Sequence, residues 1–289
     1  MKHIYLNLKR FDIAPAHGGV NRLAPMADWA RTILGSTEPA LRQMPGAEYV
    51  FFLPELHLLP AMAARASDSP VLLGCQGVYR ADTACGGNFG AFTTQRTAHA
   101  MQEAGCTHVL VGHCEERQDK LGILREAGIT GKAAETAVNR LLNQEVCCAQ
   151  QAGLNVLYCI GETAEQQKEW DMVLSRQLET GLQGADREKT VIAYEPVWSI
   201  GPGRTPADRP YIEKVARLVK ACTDGLDVVY GGGLKQDNAA MLASIPEIDG
   251  GLIALTRFRG EIGFYPEEYL EIIRTYLGQC KEGNHAAIV

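Results

Sequence analysis

The chain of 289 residues contains no apolar run long enough to cross a bilayer, which argues against a membrane-spanning protein. Its first residues, MKHIYLNLKRF, include neither a long apolar stretch nor a small-residue cleavage site, so no secretory signal is expected. The chain also lacks a low-complexity tract, a charge block or a linker that would divide it. We therefore expect one domain over residues 1–281, followed by a flexible tail over residues 282–289.

The chain also has no excess of basic residues. The chain has 28 Lys and Arg against 34 Asp and Glu, a net charge of −6, which argues against a nucleic-acid partner. Nine cysteines form no regular framework, and two of them, Cys147 and Cys148, are adjacent, so a disulfide scaffold is not expected. This cysteine usage is typical of reduced thiols in the cytoplasm. No clear metal-ligand spacing is present, and we expect neither a metal nor an organic cofactor.

Short apolar runs alternate with longer amphipathic segments over the whole length of the chain. Several runs are apolar on both faces, which is typical of buried parallel strands. Eight strands are predicted, at His3–Leu8, Tyr49–Leu53, Val71–Cys75, His108–Val111, Asn155–Ile160, Val191–Tyr194, Asp227–Tyr230 and Gly250–Leu255. Helical patterns cover Asn21–Leu34, Leu56–Ala66, Thr97–Ala104, Lys132–Ala152, Ala164–Leu182, Ala207–Cys222, Asn238–Ser244 and Pro266–Leu277. Eight strand–helix units predict an α/β protein with a closed (β/α)8 barrel; a doubly wound open sheet is the alternative.

Two segments do not follow this alternation. Gly77–Thr94 is rich in Gly, Thr and Asn, and it forms a long loop after the third strand. A loop of this length in a compact domain is usually functional. Gln118–Ala152 separates the fourth and fifth strands by an unusually long connection.

Polar residues follow several of the predicted strands, at the end where barrels of this kind carry their chemistry. Asn7 and Lys9 end the first strand, His113 follows the fourth, Glu195 follows the sixth, and Gly231–Gly233 follow the seventh. Each alone is more simply a solvated side chain or a glycine turn. Together, a carboxylate, an imidazole, a lysine and a glycine-rich turn on one predicted face indicate a site that performs chemistry.

These segments, taken in order, resemble the triosephosphate isomerase family. The most specific similarity is the segment that contains Glu195 and continues through Gly203. The other similarities include Cys114, which stands where the family motif Gly-His-Ser-Glu-Arg-Arg has serine. The similar segments are Asn7-Leu8-Lys9, Gly90–Thr93, Val111–Arg117, Cys159–Glu162, Ala193–Trp198, Ile200–Gly203 and Tyr230–Gly232.

The resemblance implies a TIM barrel that isomerises an aldose phosphate and a ketose phosphate, glyceraldehyde 3-phosphate and dihydroxyacetone phosphate, in glycolysis and gluconeogenesis. It implies that Glu195 is the base that moves a proton between neighbouring carbons. His113 and Lys9 would face the developing negative charge, supported by Asn7. Glu115 would orient Lys9. If a helix begins at Cys114, its N-terminus favours a neutral His113.

The resemblance also implies a mobile lid and a phosphate site. The lid consists of Trp198, Ser199, Ile200, Gly201, Pro202 and Gly203, and it would exclude water from the enediolate intermediate. Backbone N–H groups of Gly201, Gly232 and Gly233 would bind the phosphate. The loop Gly77–Thr94 implies a homodimer.

The sequence departs from the family pattern at the eighth strand. Ala254 and Leu255 occupy the places of a glycine pair that brings backbone N–H groups to the phosphate. Arg257 either replaces these lost contacts with its guanidinium or is a surface residue, and both interpretations stay open. Gln95 and Glu116 replace an acidic–basic pair at the dimer interface, so that interface must be rebuilt.

The altered eighth strand motivates an alternative substrate, a longer phosphoketose such as a tetrulose phosphate. A non-catalytic barrel that binds a ligand and a Schiff-base aldolase that uses Lys9 are less favoured, because the reacting groups and the lid are present together. The expected partners are a phosphorylated sugar and a second copy of the chain, with no nucleic acid and no membrane.

Overall fold

The computed structural model describes residues 1–201 and 204–286, without the side chains of residues 279–286. Eight parallel strands form a closed barrel in chain order, because β8 pairs with β1 as well as with β7. The predicted (β/α)8 barrel is confirmed, and the open sheet is not. No helix in the described part of the chain is both long and apolar enough to span a membrane.

The strands agree with the predicted ranges to within two residues at either end. They are β1 (Lys2–Asn7), β2 (Ala47–Leu53), β3 (Val71–Cys75), β4 (His108–Val111), β5 (Asn155–Ile160), β6 (Thr190–Tyr194), β7 (Val228–Tyr230) and β8 (Gly250–Ile253). The agreement has a physical cause. Alternate residues of each strand face the barrel interior or the surrounding helices, so both faces are buried and the strands are apolar throughout.

The helices surround this barrel. They are α1 (Trp29–Leu41), α2 (Leu58–Ala64), α3 (Ala98–Glu103), α4 (Cys114–Glu126), α5 (Gly131–Gln151), α6 (Trp170–Gly181), α7 (Arg209–Cys222), α8 (Ala239–Ala243) and α9 (Pro266–Ala286). Helix α9 continues past the predicted end at Leu277 and into the segment for which a tail was predicted; residues 287–289 lie outside the described residues.

Two helices differ from the predicted ranges. The first begins at Trp29 instead of Asn21, because the Asn21 side chain accepts a hydrogen bond from the Leu23 amide at 3.0 Å and forms a local turn, and Pro25 precedes a short 3-10 turn. Helix α4 begins at Cys114, where a helix start was considered, and it continues into the segment Gln118–Ala152, which the sequence analysis treated as a long connection. It contains no buried residue, so it has no apolar periodicity that sequence reasoning can detect.

The apolar core has two parts. One lies between the strands and the helices, and it contains the large buried side chains Trp29 and Tyr269. The other fills the barrel interior with Tyr5, Phe52 and residues from six other strands. The interior is therefore packed by side chains, which leaves the C-terminal edge of the strands for the site.

A buried network of polar groups closes the N-terminal end of the barrel. His3 Nδ1 lies 2.9 Å from Glu48 Oε2, and His3 Nε2 lies 2.8 Å from Asp227 Oδ2. Tyr5 donates a hydrogen bond to Glu48 at 3.0 Å, and His108 Nε2 lies 3.3 Å from the other Glu48 oxygen. Although burial acts in the opposite direction, the hydrogen bonds with Glu48 and Asp227 raise the pKa of His3.

This network predicts that the free energy of unfolding decreases as the pH rises above neutrality. The protonated His3 ring stabilises the fold fully below the ordinary histidine pKa of about 6.5. That contribution is lost as the pH rises through the raised pKa of the folded chain. We expect the difference in unfolding free energy between the wild type and His3→Gln to be larger at pH 6 than at pH 9, by roughly 1 kcal/mol. Denaturant titrations at both pH values measure it.

The control for this experiment is His17→Gln, since His17 is an exposed histidine. Its effect on the unfolding free energy is expected to be small at both pH values. A destabilisation by His3→Gln that has the same size at pH 6 and pH 9 would contradict the account.

Candidate active site

The C-terminal ends of three strands bring the predicted acid–base residues together. Asn7 ends β1, His113 follows β4, and Glu195 follows β6. A cleft of about 370 Å³ at this edge is lined by Asn7, Lys9, His113 and Glu115, among others. The predicted face therefore exists, and the distances within it show how its groups interact.

Glu195 is a buried carboxylate that is only 2% exposed. Its Oε1 atom lies 3.0 Å from His113 Nε2, and its Oε2 atom accepts a hydrogen bond of 2.9 Å from the Cys114 amide. Burial raises the pKa of Glu195, and the attraction of His113 and the Cys114 hydrogen bond offset this only in part. A raised pKa makes the carboxylate a better proton acceptor near neutral pH.

His113 precedes helix α4, whose first residue is Cys114. Its Nδ1 atom accepts a hydrogen bond of 3.3 Å from the Glu115 amide. A ring nitrogen that accepts a hydrogen bond carries no proton, so the neutral ring carries its proton on Nε2. The positive end of the helix dipole also disfavours an imidazolium ion here. His113 is thus arranged as a neutral donor that points at Glu195.

Lys9 lies at the edge of the cleft and has a left-handed backbone, with φ of 39°. Its amide donates to the Asn7 side-chain oxygen at 3.1 Å, and its ammonium group donates to Glu115 at 2.7 Å. Although burial opposes it, this contact with Lys9 lowers the pKa of Glu115. The strained backbone is held by the Asn7 contact, and it places the ammonium group over the cleft.

Gln76 is a residue of this cleft that the sequence analysis did not identify. Its amide group donates to the Asn7 side chain and to the carbonyl oxygen of Lys9, both at 3.2 Å. Gln76 directly follows β3, so it lies at the C-terminal edge of the barrel, where β1 also ends. Its position directly after a predicted strand could have identified Gln76 as a candidate site residue. It was not identified because it lies in none of the motifs that carried the resemblance.

The glycine-rich turn after β7 packs directly against the carboxylate. A Cβ atom at Gly231 would lie 2.8 Å from Glu195 Cγ and 2.9 Å from the carbonyl oxygen of Tyr194. Glycine is therefore required there because no side chain fits beside Glu195. Gly233 has φ of 97°, which also favours glycine. The role of Gly232 and Gly233 as phosphate ligands stays a prediction.

The segment after β8 forms a small hairpin in which Arg257 and Gly263 pair. The Arg257 guanidinium donates to Glu268 at 2.8 Å and lies 3.7 Å from the centre of the Tyr265 ring. The guanidinium group therefore lies beside the first turn of helix α9, which contains Glu268. Of the two interpretations, these contacts favour a surface arginine, here paired with Glu268, and phosphate binding by Arg257 stays a prediction.

The start of the predicted lid is attached to a fully buried carboxylate, Glu162. Three groups donate to its Oε1 atom: the Trp198 indole at 2.7 Å and the hydroxyls of Tyr194 and Tyr211, each at 2.9 Å. The residues Val197–Ser199 form a short 3-10 turn. Pro202 and Gly203 lie outside the described residues.

Tyr211 was not identified from the sequence, because it lies in helix α7 and belongs to no motif. Glu162 was part of the fifth-strand motif, but only the fold places it beside Trp198. The two residues show that the start of the predicted lid is held by contacts between the segment after β5, β6 and α7.

At the C-terminal edge of the barrel, three side chains offer metal-ligating atoms within 4.8 Å of one another. They are His113, Cys114 and Glu195. Cys114 and Glu195 are 81 positions apart along the chain. This distance along the chain explains why no metal-ligand spacing was visible in the sequence.

The lid anchor predicts a difference between two substitutions at Glu162. Glu162→Leu leaves the three donors without an acceptor, so we expect the unfolding free energy to fall by roughly 2–4 kcal/mol relative to Glu162→Gln, which keeps an acceptor oxygen. Denaturant unfolding of both variants measures the difference. Equal stability of the two variants would show that the donors do not depend on this oxygen.

Comparisons with known proteins identify the family of this chain. The family model described as triosephosphate isomerase matches residues 27–274. Triosephosphate isomerase of Geobacter metallireducens is 32% identical over 252 residues, which cover 83% of this chain and 92% of that protein. The enzyme of the same name from Prosthecochloris aestuarii is 34% identical over 233 residues, with coverage of 76% and 83%.

A solved structure agrees on the fold. The triosephosphate isomerase of Bartonella henselae superposes with a TM-score of 0.69 at 24% identity, over 95% of this chain and 98% of that one. This likeness supports the barrel, and the sequence matches extend over most of the chain. On these matches, the chain belongs to the triosephosphate isomerase family.

Proposed function

We propose that the protein is an isomerase that interconverts glyceraldehyde 3-phosphate and dihydroxyacetone phosphate. The observation that carries the proposal is the buried Glu195 carboxylate, hydrogen-bonded to a neutral His113 beside Lys9. The names of the relatives, all triosephosphate isomerases, favour this substrate over the longer phosphoketose and favour an enzyme over a binding protein.

In the proposed reaction, Glu195 removes a proton from the carbon next to the substrate carbonyl. The electrons of that C–H bond form a carbon–carbon double bond, the carbonyl π electrons move onto the oxygen, and an enediolate forms. The protonated Glu195 then returns the proton to the neighbouring carbon, while the proton of the substrate hydroxyl passes to the former carbonyl oxygen and a new carbonyl group forms. His113 Nε2–H and the Lys9 ammonium donate to the oxygens on which negative charge develops. Glu195 is regenerated at the end of the reaction, because it gives back the proton that it removed.

Substrate binding requires one rearrangement of these groups. Glu195 and His113 are only 3.0 Å apart, which leaves no room for a substrate carbon between them. The carboxylate must therefore turn away from the imidazole, which frees Nε2–H for the substrate oxygen. A side chain at position 231 would obstruct this movement, because its Cβ atom would lie 2.8 Å from Glu195 Cγ.

The lid completes the proposed site. Trp198 is held by Glu162 at one end of the segment, and the amide of Gly201 is proposed to reach the substrate phosphate together with those of Gly232 and Gly233. A closed lid protects the enediolate from water, which would otherwise allow loss of phosphate. A cytoplasmic location is part of the proposal, and the free thiols of the eight described cysteines support it.

The base assignment predicts a large loss of activity in Glu195→Asp. Shortening the side chain by one methylene moves the carboxylate away from the substrate carbon, so we expect kcat to fall by roughly 10²–10³-fold. The measurement is steady-state isomerisation of glyceraldehyde 3-phosphate with a coupled dehydrogenase, using protein free of host isomerase.

The matched control is Glu165→Gln, a substitution of an exposed glutamate near the lid, whose kcat is expected to equal that of the wild type. A tetrulose phosphate is measured in the same assay. A higher kcat/KM on the tetrulose would overturn the proposed substrate, and an unchanged kcat in Glu195→Asp would remove Glu195 from the mechanism.

We also propose a homodimer formed through the loop at residues 77–94. Phe89 in this loop is 94% exposed, which is unusual for a large apolar side chain with no partner. A cleft of about 790 Å³ beside the base of the loop is lined by Glu116, Lys120, Ile123 and Glu145, among others. In the proposed dimer, the loop of one copy enters this cleft of the other, where Val78, Ile123 and Leu124 offer apolar contacts.

The charges of this cleft differ from the acidic–basic pair described for the family. Lys120 lies 3.0 Å from Glu116 and 2.9 Å from Glu145. Burial and the neighbouring Glu116 raise the pKa of Glu145 to about 8, and Lys120 opposes this shift.

The dimer proposal predicts that Phe89→Asp weakens association by at least about tenfold, because it places a charge in a desolvated contact. Sedimentation over a range of protein concentrations measures the dissociation constant. Phe258→Asp is the control, since Phe258 is also exposed but follows β8. Sedimentation of the wild type as a monomer, or an equal effect of both substitutions, would contradict the proposed interface.

A further inference from the structure

Cys114 distinguishes this active site from the serine-containing motif that the sequence resembles. Its sulfur lies 3.7 Å from His113 Nδ1, and the ligating atoms of His113, Cys114 and Glu195 are all within 4.8 Å of one another. We propose that these three side chains form a site for Zn²⁺, and that bound Zn²⁺ reversibly inhibits the isomerase. The inhibition rests on the proposed function, whereas the metal site does not.

The donor set determines which cation fits. A thiolate, an imidazole nitrogen and a carboxylate oxygen are the ligands that Zn²⁺ takes in proteins. Thiolate is a poor ligand for Mg²⁺ and Ca²⁺, which prefer oxygen. The site therefore favours Zn²⁺, Co²⁺ or Cd²⁺ over the alkaline-earth cations.

The distances are close to those that a tetrahedral ion requires. Bonds of about 2.0–2.3 Å imply ligand atoms about 3.3–3.6 Å apart. His113 Nε2 and Glu195 Oε1 are 3.0 Å apart, so they must separate by only a few tenths of an ångström. The sulfur must approach by a rotation of the Cys114 side chain. The same turn of Glu195 that substrate binding requires supplies the first of these movements.

Glu115 supports coordination by His113. When the metal takes Nε2, the ring proton moves to Nδ1, and the long hydrogen bond from the Glu115 amide is lost. The Glu115 carboxylate lies 3.7 Å from Nδ1 and can accept the relocated proton in a hydrogen bond. A carboxylate that holds the second nitrogen of a ligating histidine is a common arrangement at zinc sites. The thiol proton of Cys114 passes to solvent.

Inhibition follows from the identity of the ligands. A metal bound to Glu195 and His113 occupies the base and the donor of the proposed reaction at the same time. Three protein ligands leave a fourth position toward the cleft, which water fills. Nearby Lys9 carries a positive charge that opposes a cation, so we expect half-inhibition at roughly micromolar free Zn²⁺. The inhibition should be competitive with the substrate.

The experiment titrates the full chain, first treated with a chelator, with Zn²⁺ while the rate of isomerisation is followed. The activity of each protein is expressed relative to its own metal-free rate. On this scale, we expect Cys114→Ser to raise the Zn²⁺ concentration for half-inhibition by at least about tenfold over that of the wild type. Cys148→Ser is the matched control, because Cys148 is also a partly buried thiol but lies in α5, and its titration should match the wild type. Mg²⁺ at the same concentrations should not inhibit.

A second readout does not need activity. Co²⁺ bound to a thiolate gives a charge-transfer absorption, which we expect in the wild type and in Cys148→Ser but not in Cys114→Ser. Absence of this absorption in the wild type, or inhibition by Zn²⁺ that is equal in Cys114→Ser, overturns the proposal. A protein that binds Co²⁺ through Cys114 but does not isomerise triose phosphate would keep the metal site and refute the proposed function instead.

Discussion

The site depends on keeping one carboxylate, that of Glu195, out of water. It is tolerated because His113 and the amide at the start of α4 both bind it. That pairing exists only when β4 and β6 end at the same edge of a closed barrel. The barrel interior is filled with apolar side chains, so the polar groups are confined to this edge. Burial then raises the pKa of Glu195 and makes it suitable for proton transfer.

Three carboxylates near the cleft have three different environments. Glu195 is buried beside a neutral imidazole, Glu115 pairs with Lys9, and Glu162 accepts hydrogen bonds from three side chains. The pKa of Glu195 is raised and that of Glu115 is lowered, so the same side-chain type can act as a base in one place and orient a cation in another. The third carboxylate holds the lid segment. Each role follows from burial and from the nearest partners.

Sequence reasoning succeeded where one physical pattern covers a whole element. The strands were visible because both faces of each are buried, which makes the apolar runs continuous. The extent of helix α4 was not visible because it has no buried residue, although its first turn carries the amide that binds Glu195. The start of α1 was displaced by a local hydrogen bond that the Asn21 side chain accepts from the Leu23 amide, an effect of turn chemistry rather than periodicity.

By itself, the sequence determined the barrel, the family resemblance and the four candidates Asn7, Lys9, His113 and Glu195, because strand-end positions and motifs are properties of neighbouring residues. The tertiary structure alone decided which distant side chains meet. It placed Arg257 on Glu268, Tyr211 on Glu162, and Cys114 beside Glu195. These pairs are 11, 49 and 81 positions apart along the chain. Their contacts depend on how strands and helices pack, which no local pattern of residues encodes.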